Sequence, residues 1–405
     1  MQLLLFLSVA LMALALPHPQ RGDIPKAMLL PVVPTAPIYY YHGTPNKTLE
    51  QIRVWTFDER ACMHPHMPEG TRDFCELTQS TTELFKSDRS STSRLLGNES
   101  FEILFGGGSR ASGDWFSESF GIGSLAGQNL SMGFARLMNF IEEQSGMLGL
   151  GPDFGQLTPG SSILQVMQQQ GLIHTRSFSL ALGQTLDHVG GLLFGGHDPS
   201  KYHGPITVLP LRERSFVYDI NVSSIALTSS GRPPKTLTPD GYTAWGTVDS
   251  GSPNMGFPQG IYVEVAKALG LDGDAAIPCD RAKEAGSLQF EFGGQGEPSC
   301  ISMPLANLMD PLHNISTGAP LMDKDGSALC KASLDSADAS DEPGVVFLNV
   351  LFLRSAYVVH NLEEMVLGIA QARTDVDQAS ESLDSVVEIK HGDSMWKRPS
   401  AAQGC

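Results

Sequence analysis

The residues best suited to chemistry lie in Gly246-Thr-Val-Asp-Ser-Gly-Ser. An apolar strand runs there into an acid, a hydroxyl and a glycine, so a tight turn at the strand end can present the Asp249 carboxylate. Proton transfer is the chemistry open to such a group. Alone, Asp-Ser-Gly is a common triplet. A second cluster, Cys62 with His64-Pro-His66, has metal-ligand residue types. Zinc-type spacing is absent, and the sequence reads as a turn-rich surface loop, so no metal and no cofactor is expected.

The elements that must carry Asp249 show in the texture of the chain. From about residue 39 to 372, short apolar runs are cut by Gly, Pro, Asn and Ser, and Gly totals 42. Runs at 178–182, 191–194, 206–209 and 356–359 read as strands. Two segments read as helices: 162–170, with Ser161 as N-cap and Gly171 as stop, and 261–269, closed by Gly270. Many strands and few short helices predict an all-β protein. At 405 residues, two or three domains are expected at roughly 100–200 residues each. Apolar residues at 41% can fill a core, and 18% charged residues is too few for a mainly disordered chain. The net charge of −17 leaves no basic footprint for nucleic acid.

The ends of the chain speak to compartment. Residues 1–16 hold the apolar run LLLFLSVALMALAL, too short to span a bilayer comfortably, and read as a secretory signal peptide. No later run reaches membrane-spanning length; the longest, 345–353, is broken by Asn349. Five sequons, at Asn46, Asn98, Asn129, Asn221 and Asn314, fit a glycosylated secreted protein. Six cysteines in an oxidising compartment suggest disulfides, with 15 pairings open. Residues 373–405 carry six acids against four bases and read as a mobile, disordered tail. The acidic stretch 333–342 reads as a solvated loop.

Asp249 gains weight from its neighbours. Gly43-Thr-Pro follows a strand-like 38–41. Then come Phe101-Glu-Ile-Leu-Phe-Gly-Gly-Gly-Ser, Gly146-Met-Leu-Gly-Leu-Gly, Gly190-Gly-Leu-Leu-Phe-Gly-Gly-His-Asp and Phe352-Leu-Arg-Ser-Ala-Tyr-Val-Val. In this order and at these intervals they resemble the pepsin-like aspartic proteases of secreted fungal type, over residues 38–372. The resemblance implies a bilobal β fold: a short pro-like segment at 17–37, an N-terminal lobe with its flap at 38–210, and a C-terminal lobe at 211–372. It implies a peptide or protein held in the interlobe cleft, a monomer, and hydrolysis by two carboxylates that share a proton. Asp249 matches the catalytic acid of the C-terminal lobe, with Ser250, Gly251 and Ser252 completing its turn. Phe105 and Gly106 fall in the flap. The resemblance also implies the bridges Cys62–Cys75 and Cys279–Cys330, and leaves Cys300 and Cys405 open.

Four departures set this chain apart from that pattern. An ungapped count from Gly43-Thr-Pro puts the first Asp-Thr-Gly on Val54-Trp55-Thr56. Asp58, the nearest acid, would need a four-residue shift and is followed by Glu-Arg. Phe105 replaces the flap tyrosine, and Asn349 replaces the glycine expected before Phe352. The stretch between leader and first strand is short for an inhibitory prosegment. The expected function is therefore a secreted pepsin-like homologue with little or no catalysis that still binds peptides. Two alternatives stay open. One is a working acid endopeptidase with a displaced first acid or a mis-spliced 46–75 segment. The other is a glycoprotein inhibitor or ligand of other proteins.

Overall fold

In the computed structural model the described residues are 2–3, 28–32, 40–41, 55–57, 90–104, 110–122, 125–138, 148–152, 160–183, 190–252, 254–272, 276–293, 299–313, 319–337, 344–376 and 385–393. The first half holds β1 (Met28–Val32), β2 (Trp55–Phe57), β3 (Arg94–Leu104), β4 (Arg110–Ile122), β5 (Leu125–Met138) and α1 (Ile163–Gln169). Next come β6 (Ser177–Ala181), β7 (Gly190–Phe194), β8 (Gly196–His197) and β9 (Tyr202–Pro210). The second half opens with β10 (Tyr218–Thr228), β11 (Ala244–Val248), β12 (Met255–Phe257) and α2 (Gln259–Leu269). It continues through β13 (Ile277–Pro278), β14 (Ser287–Phe292), β15 (Ser299–Pro304), β16 (Leu329–Ala332) and β17 (Leu334–Ser336). It closes with β18 (Val346–Leu348), α3 (Val350–Leu353), β19 (Ala356–Asn361), β20 (Val366–Ala372) and β21 (Val387–Glu388).

Three sheets do the positioning. A four-stranded sheet in the order β2-β5-β4-β3 belongs to the first half. A larger sheet in the second half runs β15-β14-β10-β11-β18-β12-β17. The third sheet, β9-β20-β19-β6-β7-β1, takes strands from both halves, so the halves placed on either side of residue 210 are joined through it. Its two faces differ. Phe178, Leu180, Leu192, Phe194, Val358, Leu367 and Ile369 enter the main core, while Ala181, Ile206, Val208, Tyr357 and Val359 pack in a smaller cluster.

Local sequence explains these elements. In β14, Leu288, Phe290 and Phe292 are fully buried and alternate with half-buried Ser287, Gln289 and Glu291, the period-two pattern of a sheet with one face in the core. Helix α2 presents Ile261, Val265 and Leu269 to the core and ends at Gly270, whose φ of 70° lies in the left-handed region that favours glycine. The strand and helix readings from sequence hold with small shifts. One cap moves: the side chain of Ser162, not Ser161, accepts from Gln165 N at 3.4 Å.

Other expectations change. The composition of 373–405 predicts a mobile tail, but 385–393 folds back and β21 pairs with β8. The cause is one apolar anchor, Ile389, only 1% exposed. The acidic stretch 333–342 predicts a solvated loop, but its start is β17, which pairs in parallel with β12 and buries Leu334. Within the segment 17–37, β1 pairs with β7 along 28–32. Cys279 and Cys330 form the bridge that the resemblance implies, with Cα atoms 4.9 Å apart. Cys300 is disulfide-bonded as well. Cys62, Cys75 and Cys405 lie outside the described residues.

Candidate active site around Asp249

Asp249 follows β11, the strand enclosed between β10 and β18. Close packing dictates the glycine in that strand. A Cβ on Gly246 would stand 2.6 Å from Val222 Cγ2 and 2.9 Å from Leu348 Cδ1, so only glycine lets the three strands approach. The chain then turns. Asp249 N donates to Leu348 O at 3.1 Å, and Ser252 N donates back to Asp249 O at 3.4 Å. Gly251 N donates to Asp249 Oδ1 at 2.8 Å, which orients the carboxylate. Asp249 is buried, and its neighbours Ser250, Gly251 and Ser252 are half-buried.

Burial pushes the Asp249 carboxyl above the usual range, and the Gly251 N–H offsets part of that rise. Gly251 supplies the one hydrogen bond to this carboxylate among the described residues. Asp249 can thus donate a proton as an acid when protonated or accept one as a base when ionised, but the described residues bring no second carboxylate against it.

The sequence did not flag what lies beside it. Trp245, Thr247 and Asp249 alternate along β11 and share a face. Thr247 Oγ1 donates to the buried Asp219 Oδ1 at 2.6 Å, and Ser215 Oγ donates to Asp219 Oδ2 at 2.9 Å. Arg212 Nη1 lies 3.5 Å from the same oxygen and its guanidinium sits 5.4 Å over the Trp245 ring. This polar row clamps β10 to β11 just before the Asp249 turn. Its cross-strand register, Asp219 opposite Thr247, links residues far apart in sequence and so left no local signal.

Asn349 stands between two bonds that bracket the turn, since Leu348 O receives Asp249 N and Val350 N donates to Ser252 O at 3.3 Å. Its Oδ1 accepts from Leu351 N at 3.0 Å and caps α3. Its Nδ2 is buried with no acceptor among the described residues. An orphaned buried amide costs about 1–3 kcal/mol, whereas an Asn-to-Gly cap change costs a few tenths and glycine's added chain entropy about 0.5–1. Asn349→Gly is therefore expected to stabilise the protein by roughly 0.5–1 kcal/mol on these terms. A lower urea midpoint for Asn349→Gly would show that the side chain is satisfied.

The other sequence-derived site residues fall unevenly. Val54, Asp58, Phe105, Gly106, Asn46 and Asn314 lie outside the described residues. Asn98 and Asn129 are exposed, whereas Asn221 is half-buried and its Nδ2 donates to Thr243 Oγ1. The strand β2 nevertheless bears on the first acid. It pairs in parallel with β5 at 133–135, as β12 pairs in parallel with β17. Phe134 stands 14 residues before Leu148, and Asp335 stands 13 before Leu348, so β2 and β12 are counterparts. Asp249 precedes Met255 by six residues, and six before Trp55 is Leu49. The ungapped count gives Val54 instead. Neither is an acid, and Glu50 is the single acid in residues 43–57. Asp58 follows β2, whereas Asp249 precedes β12.

A β protein whose two halves share one sheet, with a buried Asp-Ser-Gly turn at a strand end, defines an aspartic-protease-type fold. The family model for eukaryotic aspartyl protease matches residues 53–372, and the chain belongs to that family. It is 26% identical over 320 residues to the probable aspartic-type endopeptidase opsB of Aspergillus oryzae, covering 75% of this chain and 61% of the relative. It is 27% identical to aspartic proteinase 3 of Saccharomyces cerevisiae, covering 77% and 55%. It is also 27% identical to the acid protease of Saccharomycopsis fibuligera, covering 75% and 76%. The chain thus spans somewhat over half the length of the first two relatives. Among solved structures, the aspartic proteinase from Irpex lacteus superposes with a TM-score of 0.58 at 20% identity, over 82% of this chain and 90% of that one. Among the described residues no helix is long and apolar enough to cross a membrane.

Proposed function

We propose that this protein is a secreted, glycosylated member of the family that binds extended peptides and hydrolyses them poorly or not at all. The observation that carries this reading is the lone acid. Asp249 is buried and oriented by Gly251, while the ungapped count from Gly43-Thr-Pro puts the partner turn on Val54-Trp55-Thr56, which holds no acid. One carboxyl cannot readily act as base toward water and acid toward the carbonyl in the same step. Losing a positioned acid or base costs on the order of 10²–10⁴ in rate, and a coupled pair can cost more. An extended peptide can still be held by main-chain hydrogen bonds without the second acid. The exposed sequons Asn98 and Asn129 and the Cys279–Cys330 bridge support a secretory route.

A second reading, an acid endopeptidase, draws on the names of the relatives and on the intact turn at Asp249. The test separates the two. The protein, made in a secretory host, is incubated between pH 3 and 6 with a denatured protein substrate, with and without a statine peptide. Near-UV circular dichroism monitors folding. Retention of peptide without cleavage is the expected result. Robust cleavage that the statine peptide blocks and Asp249→Asn abolishes would overturn it.

A further inference from the structure

The segment 385–393 lies beyond the family-matched residues 53–372, and its docking is specific. Gly196 pairs with Glu388 and His197 with Val387 in antiparallel register. Ile389 N donates to Gly195 O at 2.9 Å, and Thr175 Oγ1 donates to Ile389 O at 3.0 Å. Ser385 Oγ donates to Asp198 Oδ1 at 2.7 Å. The Ile389 side chain completes the small cluster of Ala181, Ile206, Val208, Tyr357 and Val359 on the outer face of the shared sheet. Beneath Val386 lies a cavity lined by Ser179, Leu193, Lys201 and Tyr357. The segment is a strap with one apolar anchor, and it covers His197, which is 4% exposed.

We propose that residues 385–393 form a latch that acid releases, with His197 as the sensor beneath it. The surroundings favour a neutral ring. Tyr202 OH meets His197 Nδ1 at 3.1 Å. Burial pulls the imidazole below its ordinary range, and this outweighs the opposite pull of Asp198, next to it in the chain, and Asp393 on the strap. The other charged groups nearby are Lys201 in the following turn, and Glu388 and Lys390 on the strap. A folded-state value below the ordinary one means that docking is fully supported above about pH 6.5 and weakens as pH falls through it. Each pH unit below that range reduces docking by up to about tenfold, for one proton. One contact runs the other way: His174 Nε2 lies 3.3 Å from Glu388 and gains charge when His174 is protonated. Lifting nine residues off the surface admits water to the imidazolium without opening the main core, which makes strap release the cheaper response.

The proposal stands independently of whether the Asp249 site hydrolyses peptides. Its test uses the full chain and amide hydrogen exchange, read as protection factors at pH 7.5 and 5.0. The amides of Val387 and Ile389, which face β8 in this register, are expected to lose protection, by up to about tenfold for each pH unit below 6.5 for one proton taken up. The β14 amides should keep theirs. His197→Gln should dock the strap at both pH values and remove the difference. Ile389→Ala should loosen the strap at both while retaining the difference. Equal strap protection at the two pH values would overturn the proposal. So would the same fall in His197→Gln, or a fall shared in full by β14.

Discussion

At pH 3.5 the folded protein is expected to be about 4 kcal/mol less stable than at pH 7 on account of His360 alone. The ring lies in β19, 3% exposed, stacked on Phe178 at 4.1 Å and edge-on to Tyr218 at 4.3 Å. Its Nδ1 has no partner among the described residues. Burial pushes the imidazole down to about 3, against a small opposing effect of a backbone hydrogen bond to Phe178. A folded value below the unfolded one, ordinarily about 6.5, gives stability that is whole above pH 6.5 and is lost as pH falls toward 3. At about 1.36 kcal/mol per unit, three units of fall give the stated loss. Asp249 and Asp310, pushed up by burial, act in the opposite sense in acid, so the wild type alone does not isolate the effect. The comparison is urea unfolding of wild type and His360→Phe at pH 7, 5 and 3.5. The variant keeps the stacking and should lose about 4 kcal/mol less on acidification. Matching pH profiles would show that His360 is not the source.

That loss bears on function, because a domain's whole stability is about 5–15 kcal/mol. His360 stands where strands of both halves meet: Phe178 belongs to the first and Tyr218 to the second. A buried neutral imidazole at this junction, and another under the C-terminal strap, each make acid less favourable to the packing around them.

What could be read in the sequence follows from how local each signal is. The Asp249 turn was legible because a strand, an acid, a hydroxyl and a glycine are contiguous. Helix α2 was legible because Gly270 marks its end. The Cys279–Cys330 bridge came from the resemblance and from no spacing rule. Long-range partnerships were not legible. Strand β1 pairs with β7, about 160 residues later, and Pro31 within it hides a strand that tolerates proline only at an edge. The strap was hidden because Ile389 is a lone anchor in polar sequence, and β17 because its acids mask the alternation that buries Leu334. The first-acid position depends on chain length between Gly43 and β2, so the ungapped count and the strand correspondence diverge by five residues.

Removing the Cys279–Cys330 bridge is expected to cost the second half about 4 kcal/mol. The two cysteines are 51 residues apart in sequence, and closing a loop of that length restricts the unfolded chain by about that amount on the chain-entropy model. The bridge sits beside short strands. It ties Cys279, just after the two-residue strand β13, to Cys330 in β16, whose Cα partner is Ile277, in a three-stranded sheet completed by Met309–Pro311. The loop it closes contains β14 and β15, and β14 supports β10, which in turn flanks the strand that ends at Asp249. Loosening this loop should therefore reach the site through two strand pairings. The double variant Cys279→Ala with Cys330→Ala is the cleaner test, since a single change leaves a free thiol. Its urea midpoint should fall to match about 4 kcal/mol, and reducing agent should lower the wild type by more than the variant, in which the Cys300 disulfide is still reducible. A loss under about 1 kcal/mol would mean that the short strands hold the loop without this bridge.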